Sequence, residues 1–192
     1  MLTARLRQAT AALHREVESS ALISQLLRGK LERSDYCALL RNLHPIYAAL
    51  EARLPGATLP DGITDPRLAR LAALETDLDV LHGANWRTLQ VTDAALAYQA
   101  HLLALDDARL VAHAYVRYLG DLAGGQMLGR IVEKTYGAVA AFYRFPEPGA
   151  AELAARFRNA LDTLELPEAT MQAIVDEARA GFSRHGALFA AL

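Results

Sequence analysis

The sequence predicts an all-α fold, on three observations. Alanine and leucine, both good helix formers, make up more than a third of the 192 residues. Apolar residues recur three and four apart along most of the chain. No alternating, strand-like run exceeds four residues. Leu2, Leu6, Ala9, Leu13 and Val17 form one stripe and define a first helix. Ser34 and Asp35 suit the N-terminus of a second, running to about Leu54 with Pro45 as an expected kink. The stretch LPGATLPDGITDP (54–66) holds three prolines and two glycines and reads as a loop. Leu68, Leu71, Leu74, Leu78 and Leu81 mark a third helix, closed by Gly83. Asp93 is expected to cap a helix over 94–104, and a longer one is expected over 108–135, ending at Gly137. FYRFPEPG (142–149) reads as a turn region. Helices near 150–163 and 168–190 complete the chain, with Pro167 at the first turn of the last. The expectation is seven to nine helices in one domain spanning 1–192.

Composition narrows the function. The chain is 53% hydrophobic and 22% charged, with mean hydropathy +0.10, which excludes extensive disorder. Lys and Arg number 20 against 22 Asp and Glu, a net charge of -2, so nucleic acid is not the expected partner. Cys37 is the single cysteine, which excludes an intramolecular disulfide and any Cys-rich metal site. The N-terminal MLTARLRQATAALHREVESS carries charge every few residues and has no secretory apolar core. No window approaches the roughly 18 apolar residues of a membrane-spanning helix. A soluble, cytoplasmic, monomeric protein with no membrane contact is the expectation.

Two segments stand out chemically. YVRYLGDLAGGQ (115–126) sits in a helical pattern yet contains Gly120, Gly124 and Gly125. Each interior glycine costs about 0.5–1 kcal/mol relative to alanine, so three within six residues need a reason. On a helical wheel Arg117, Asp121, Gly124 and Leu128 share one face, flanked by Gly120 and Gly125. That suits a backbone lying close against something flat, with one carboxylate above it. A helix–helix contact through the glycines, with Arg117 and Asp121 as a surface pair, fits the spacing equally well. No strand precedes the glycines and no Gly-Lys-Ser/Thr follows, so a phosphate loop does not fit. In the first helix, Arg7, His14 and Glu18 form a column beside the apolar stripe. A histidine there can ligate a metal, with Glu18 orienting its second ring nitrogen; a partly buried histidine with no ligand is the alternative. No HExxH or GxSxG pattern occurs.

Together these segments resemble the haem oxygenase family. YVRYLGDLAGGQ is similar to the family signature, with Ala123 where serine is usual. LVAHA (110–114), LRQATAALH (6–14), IYAALE (46–51), FYRFP (142–146) and DTLEL (162–166) are similar to family stretches in the same order, covering nearly the whole chain. The resemblance is to the compact bacterial type without the tail of animal members.

The resemblance implies an all-α fold holding haem between a proximal N-terminal helix and a kinked distal helix. It implies haem as both substrate and cofactor, with His14 as the iron ligand. It implies dioxygen as co-substrate and electrons from a ferredoxin or an NAD(P)H-dependent reductase. Asp121, Arg117, Gly120, Gly124 and Tyr47 are then the expected catalytic group. Arg7, Glu18, Tyr115, Gly125, Phe142, Arg158 and Phe182 are the expected haem contacts. Arg7 and Arg158 are expected to pair with propionates, which points to the α isomer of biliverdin. Ala11 and Ala154 stand where some relatives carry lysines, and His185 where the resemblance sets an asparagine near the distal network, with no role assigned to it. A non-catalytic haem carrier or sensor on the same fold, and a helical interaction domain without cofactor, are the rival readings.

Overall fold

The computed structural model describes residues 1–137 and 140–192. Among them nine α-helices form and no strand does. They are α1 (Leu2–Glu18), α2 (Ala21–Leu27), α3 (Arg33–Arg53), α4 (Leu71–Leu81), α5 (Asp93–Ala104), α6 (Asp107–Ala114), α7 (Gly120–Tyr136), α8 (Ala150–Asp162) and α9 (Glu168–Ala190). Tyr115–Leu119 form a π turn that joins α6 to α7.

The helix ends follow ordinary capping chemistry, with some shifts from expectation. Ser20 caps α2, its hydroxyl accepting from Ile23 N at 3.4 Å. Thr92, not Asp93, caps α5, and Asn42 Oδ1 in turn accepts from the Thr92 amide and hydroxyl at 2.7 and 2.9 Å. Ser34 and Asp35 fall inside α3, whose N-cap is Glu32. The helix then runs on through Pro45 without interruption. The expected start at Leu68 is a separate 3-10 turn (Pro66–Leu68), and Pro167 is the N-cap of α9 rather than part of its first turn. Gly137 closes α7 in the left-handed region (φ 68°), which favours glycine.

The long helix expected over 108–135 is the main revision. It is two α-helices spliced by the π turn. A π turn carries an extra residue in its hydrogen-bonded ring, and such insertions concentrate at functional sites.

Packing places α9 at the centre. It lies along α1 and α6 and also meets α5 and the π turn, while α3 packs on α4 and α5. Gly181 permits the close approach of α9 to α6, since a Cβ there would stand 3.3 Å from the His113 ring. On α4, buried Asp77 accepts from the amides of Ala141 and Phe142 at 2.8 and 2.9 Å. Arg70 donates to the Arg144 carbonyl at 2.6 Å and lies over the Phe145 ring. This clamp holds Phe142 and Tyr143 under α3 and α7.

Candidate active site

The π turn and α7 carry a buried polar centre. Arg117 Nη2 lies 3.5 Å from Asp121 Oδ1, and the two side chains are 5% and 8% exposed, so this is not a surface pair. Tyr47, delivered by α3 and fully buried, donates its hydroxyl proton to Asp121 Oδ2. The same phenol oxygen accepts from Arg117 Nε at 3.0 Å and Nη2 at 2.7 Å. Arg117 Nη1 reaches His185 of α9, at 2.9 Å from Nδ1 and 2.7 Å from Nε2.

The protonation states follow from burial and neighbours. Burial raises the Tyr47 hydroxyl well above its usual range, so it stays a donor. Burial also lifts the Asp121 carboxyl, opposed by the Arg117 charge, the Tyr47 bond and Arg70. His185 is pushed well below the ordinary histidine value by burial and by Arg117, which keeps its ring neutral.

The glycines divide by face. A Cβ on Gly120 or Gly124 would meet nothing within 4 Å, so neither packs against a neighbouring helix. Gly125 and Gly129 instead turn onto Tyr143, where an added Cβ would stand 3.1 Å from ring or Cβ atoms. The structure therefore separates Gly125 from Gly120 and Gly124: it is a packing glycine. Phe142 is likewise fully buried, its ring edge-on to Tyr47 at 5.4 Å, and supports the phenol from behind.

Along α1 burial changes with position. Leu2 and Leu6 are buried, while Leu13 and Val17 are only partly covered and the His14 side chain is 50% exposed. His14 Nδ1 lies 3.3 Å from Glu18 Oε2, and its ring stands edge-on to Phe182 of α9 at 5.7 Å. With Nδ1 turned to Glu18, Nε2 is the ring nitrogen left to meet a metal. An exposed imidazole flanked by half-covered apolar side chains, together with two bare glycines on α7, fits a flat apolar macrocycle with a central metal.

Thr3 ties α1 to α8, its amide donating to Asp162 Oδ1 at 2.9 Å and its hydroxyl to the Arg158 carbonyl at 3.3 Å. Arg7 is one turn beyond Thr3 on the same face. Both Arg7 and Arg158 are exposed, and among the described residues neither enters an ion pair. Tyr115 is half-buried at the start of the π turn. Ala154, read from sequence as a missing cation, is a core residue at 5% exposure, whereas Ala11 is exposed.

Tyr143 escaped the sequence reading as a member of this centre, and His185, which the resemblance set near the distal network, was given no role. His185 meets a partner 68 residues away, which no local spacing reveals. Tyr143 lay within a quoted stretch, but only packing shows that it fills the gap left by Gly125 and Gly129. A cavity of about 370 Å³ lined by residues 29–33, Thr135 and Tyr136 lies apart from these residues.

Comparison with known proteins agrees with this geometry. The family model described as heme oxygenase matches residues 1–191. Heme oxygenase 1 of Nostoc sp. is 34% identical over 200 residues, covering 98% of this chain and 84% of the relative. The structure of heme oxygenase-1 from Synechocystis sp., solved in complex with heme, superposes with a TM-score of 0.91 at 32% identity, covering 98% of this chain and 90% of that one. Heme oxygenase from Leptospira interrogans gives a TM-score of 0.92 at 30% identity, covering 100% and 99%. The chain belongs to the haem oxygenase family.

Proposed function

We propose that the protein cleaves haem, with dioxygen and electrons, to biliverdin, carbon monoxide and ferrous iron, and that His14 is the iron ligand. The observation that carries this reading is the buried Asp121–Tyr47–Arg117 centre beside two glycines whose faces are open. Haem held here would supply the dioxygen chemistry with electrons from its donor, and His14 as ligand would lack the electron push by which a thiolate hastens O–O cleavage. Glu18, beside His14 Nδ1, would orient the ring. Gly120 and Gly124 let the backbone come close to whatever lies on the iron. Tyr47 occupies Asp121 Oδ2, so Oδ1, 3.5 Å from Arg117 Nη2, is the oxygen that would hold a water and pass protons. Arg7 and Arg158 supply forked donors for two propionate carboxylates, with Tyr115 as a further hydroxyl donor, and this seating favours the α isomer.

The proposed reaction takes its electrons from a separate donor protein. A ferredoxin or an NAD(P)H-dependent reductase fills that role, and the cytoplasm is where such donors are reduced. Among the described residues no helix is long and apolar enough to cross a membrane.

Haemin titration followed by dioxygen and an electron donor tests the reading. A Soret band that gives way to biliverdin is expected. Haem that stays intact under those conditions identifies a carrier or sensor instead. Arg158→Ala is expected to broaden the isomer mixture, read by chromatography of the pigment. A wild-type product dominated by the β or δ isomer would show a rotated haem.

A further inference from the structure

Outside the proposed haem site, one group of side chains converges with the spacing of a metal site. Three helices supply it: His101 comes from the last turn of α5, His113 from α6 and Glu177 from α9. Their ligand atoms all lie within 4.8 Å of one another, and no other such trio forms among the described residues. His101 Nε2 stands 2.6 Å and His113 Nε2 2.9 Å from the same carboxylate oxygen, Glu177 Oε1. The two rings meet at 73°, so their nitrogens approach that oxygen from different directions. Among the described residues no donor reaches Glu177 Oε2. His113 is fully buried, while the His101 and Glu177 side chains are 24% and 11% exposed, so the trio has one face to solvent.

Without a cation these groups form a closed set of hydrogen bonds. Glu177 accepts from both Nε2 atoms, Tyr98 meets His113 Nδ1 at 2.8 Å, and Arg184 Nη2 donates to His101 Nδ1 at 3.1 Å. A metal needs the opposite tautomer, with Nε2 bare and Nδ1 carrying the hydrogen. At His113 the surroundings permit the change, because the phenol oxygen of Tyr98 accepts as well as donates. At His101 the change requires Arg184 to leave, since a guanidinium only donates. Arg184 is loosely held. Its Nε is buried without a partner, and the bond to His101 is its one side-chain hydrogen bond among the described residues. Zinc bonds of about 2.0–2.2 Å set tetrahedral ligand spacings of roughly 3.3 Å. Glu177 then has to draw back by about half an ångström, a small shift for a carboxylate with Oε2 unengaged.

We propose that His101, His113 and Glu177 bind one divalent cation of the zinc class, with water on the open side and Arg184 as the group that competes with it. Two imidazoles and one carboxylate are a donor set that suits such an ion. The cation would tie α5, α6 and α9 together just before the π turn. None of the three ligands is assigned to haem, so the site stands whether or not haem is cleaved.

Zn²⁺ titrated into the chelator-treated full chain tests the proposal. In nitrogen-resolved NMR of the wild type, the Nε2 signals of His101 and His113 are expected to move together and to return when chelator is added. The thermal midpoint is expected to rise with Zn²⁺ concentration, as for any ligand of the folded state. His101→Gln is expected to weaken binding at least about tenfold. Arg184→Gln, whose amide oxygen can accept from His101 Nδ1, is expected to tighten it about tenfold. Co²⁺ in place of Zn²⁺ is expected to give the visible bands of a four-coordinate ion. Zn²⁺ that moves His14 or His44 and leaves the His101 and His113 Nε2 signals in place overturns the proposal, an outcome read on the wild type alone. An affinity that neither variant changes overturns it as well.

Discussion

Asp121 has Oδ2 bonded to Tyr47 and Oδ1 3.5 Å from Arg117 Nη2, and the chemistry depends on that asymmetry. Asp121→Asn keeps the shape but removes the charge, so Arg117 loses its buried counter-ion. Fold and haem affinity are expected to survive, while biliverdin yield falls by at least about tenfold in favour of peroxidase-like oxidation. Normal yield from this variant would end the proton-holding role. His14 is a simpler case. His14→Ala is expected to bind haem through apolar burial and the two arginines, yet to lose turnover, and added imidazole is expected to restore part of it. A variant with full activity and the wild-type ferrous spectrum would show another ligand. Both residues were legible in the sequence because each sits in a recognisable local pattern. The burial of the Arg117–Asp121 pair was not, because periodicity gives the shared face but not what covers it. Tyr47 supplies the cover from α3, 70 residues before Arg117.

At the scale of elements, α7 is a helix whose glycines do different work. Gly124 faces open space, so Gly124→Ala is expected to leave stability unchanged or raise it by about 0.5–1 kcal/mol through helix propensity. The same methyl is expected to intrude on the haem face and reduce turnover. Gly125→Ala is expected to do the reverse kind of damage, because its methyl meets the Tyr143 ring at 3.1 Å. Overpacking of this sort costs about 1–3 kcal/mol. Denaturant unfolding and steady-state rates of the two variants separate these outcomes. The sequence read most helices to within a few residues, but α2 was missed. It has seven residues, ALISQLL, with only Leu22 and Leu26 buried, too short to establish a period. The π turn was missed for a different reason, since nothing in residue type distinguishes an i→i+5 ring from an α-helical one.

The whole molecule is fastened by α9, and one carboxylate shows how. Glu177 Oε1 lies 2.6 Å from His101 Nε2 on α5 and 2.9 Å from His113 Nε2 on α6. Tyr98 meets the other nitrogen of His113 at 2.8 Å, and Arg184 meets that of His101 at 3.1 Å. The His113 bond, followed by that of His101, outweighs burial and pushes Glu177 from 4.5 down to about 2. His113 and His185 are also shifted downward, by burial first. In each case the unfolded chain binds protons more readily, so stability falls as pH falls. The loss begins below 6.5 with the histidines and continues from 4.5 towards 2 with Glu177, whose share is about 3 kcal/mol. Urea midpoints measured across that range are expected to drop, and Glu177→Gln is expected to flatten the drop below 4.5 while lowering stability at neutral pH. The π turn bears on the molecule in another way. It holds one residue more than an α-helix would over the same turn, so the register of α7 depends on the ring staying wide. If the five residues relaxed into an ordinary α-helix, everything after them would turn by about 100°. Asp121 would leave Tyr47, and Gly125 would lose its fit to Tyr143. Substitutions in this segment can be absorbed one at a time, but loss of the wide ring re-registers all that follows at once.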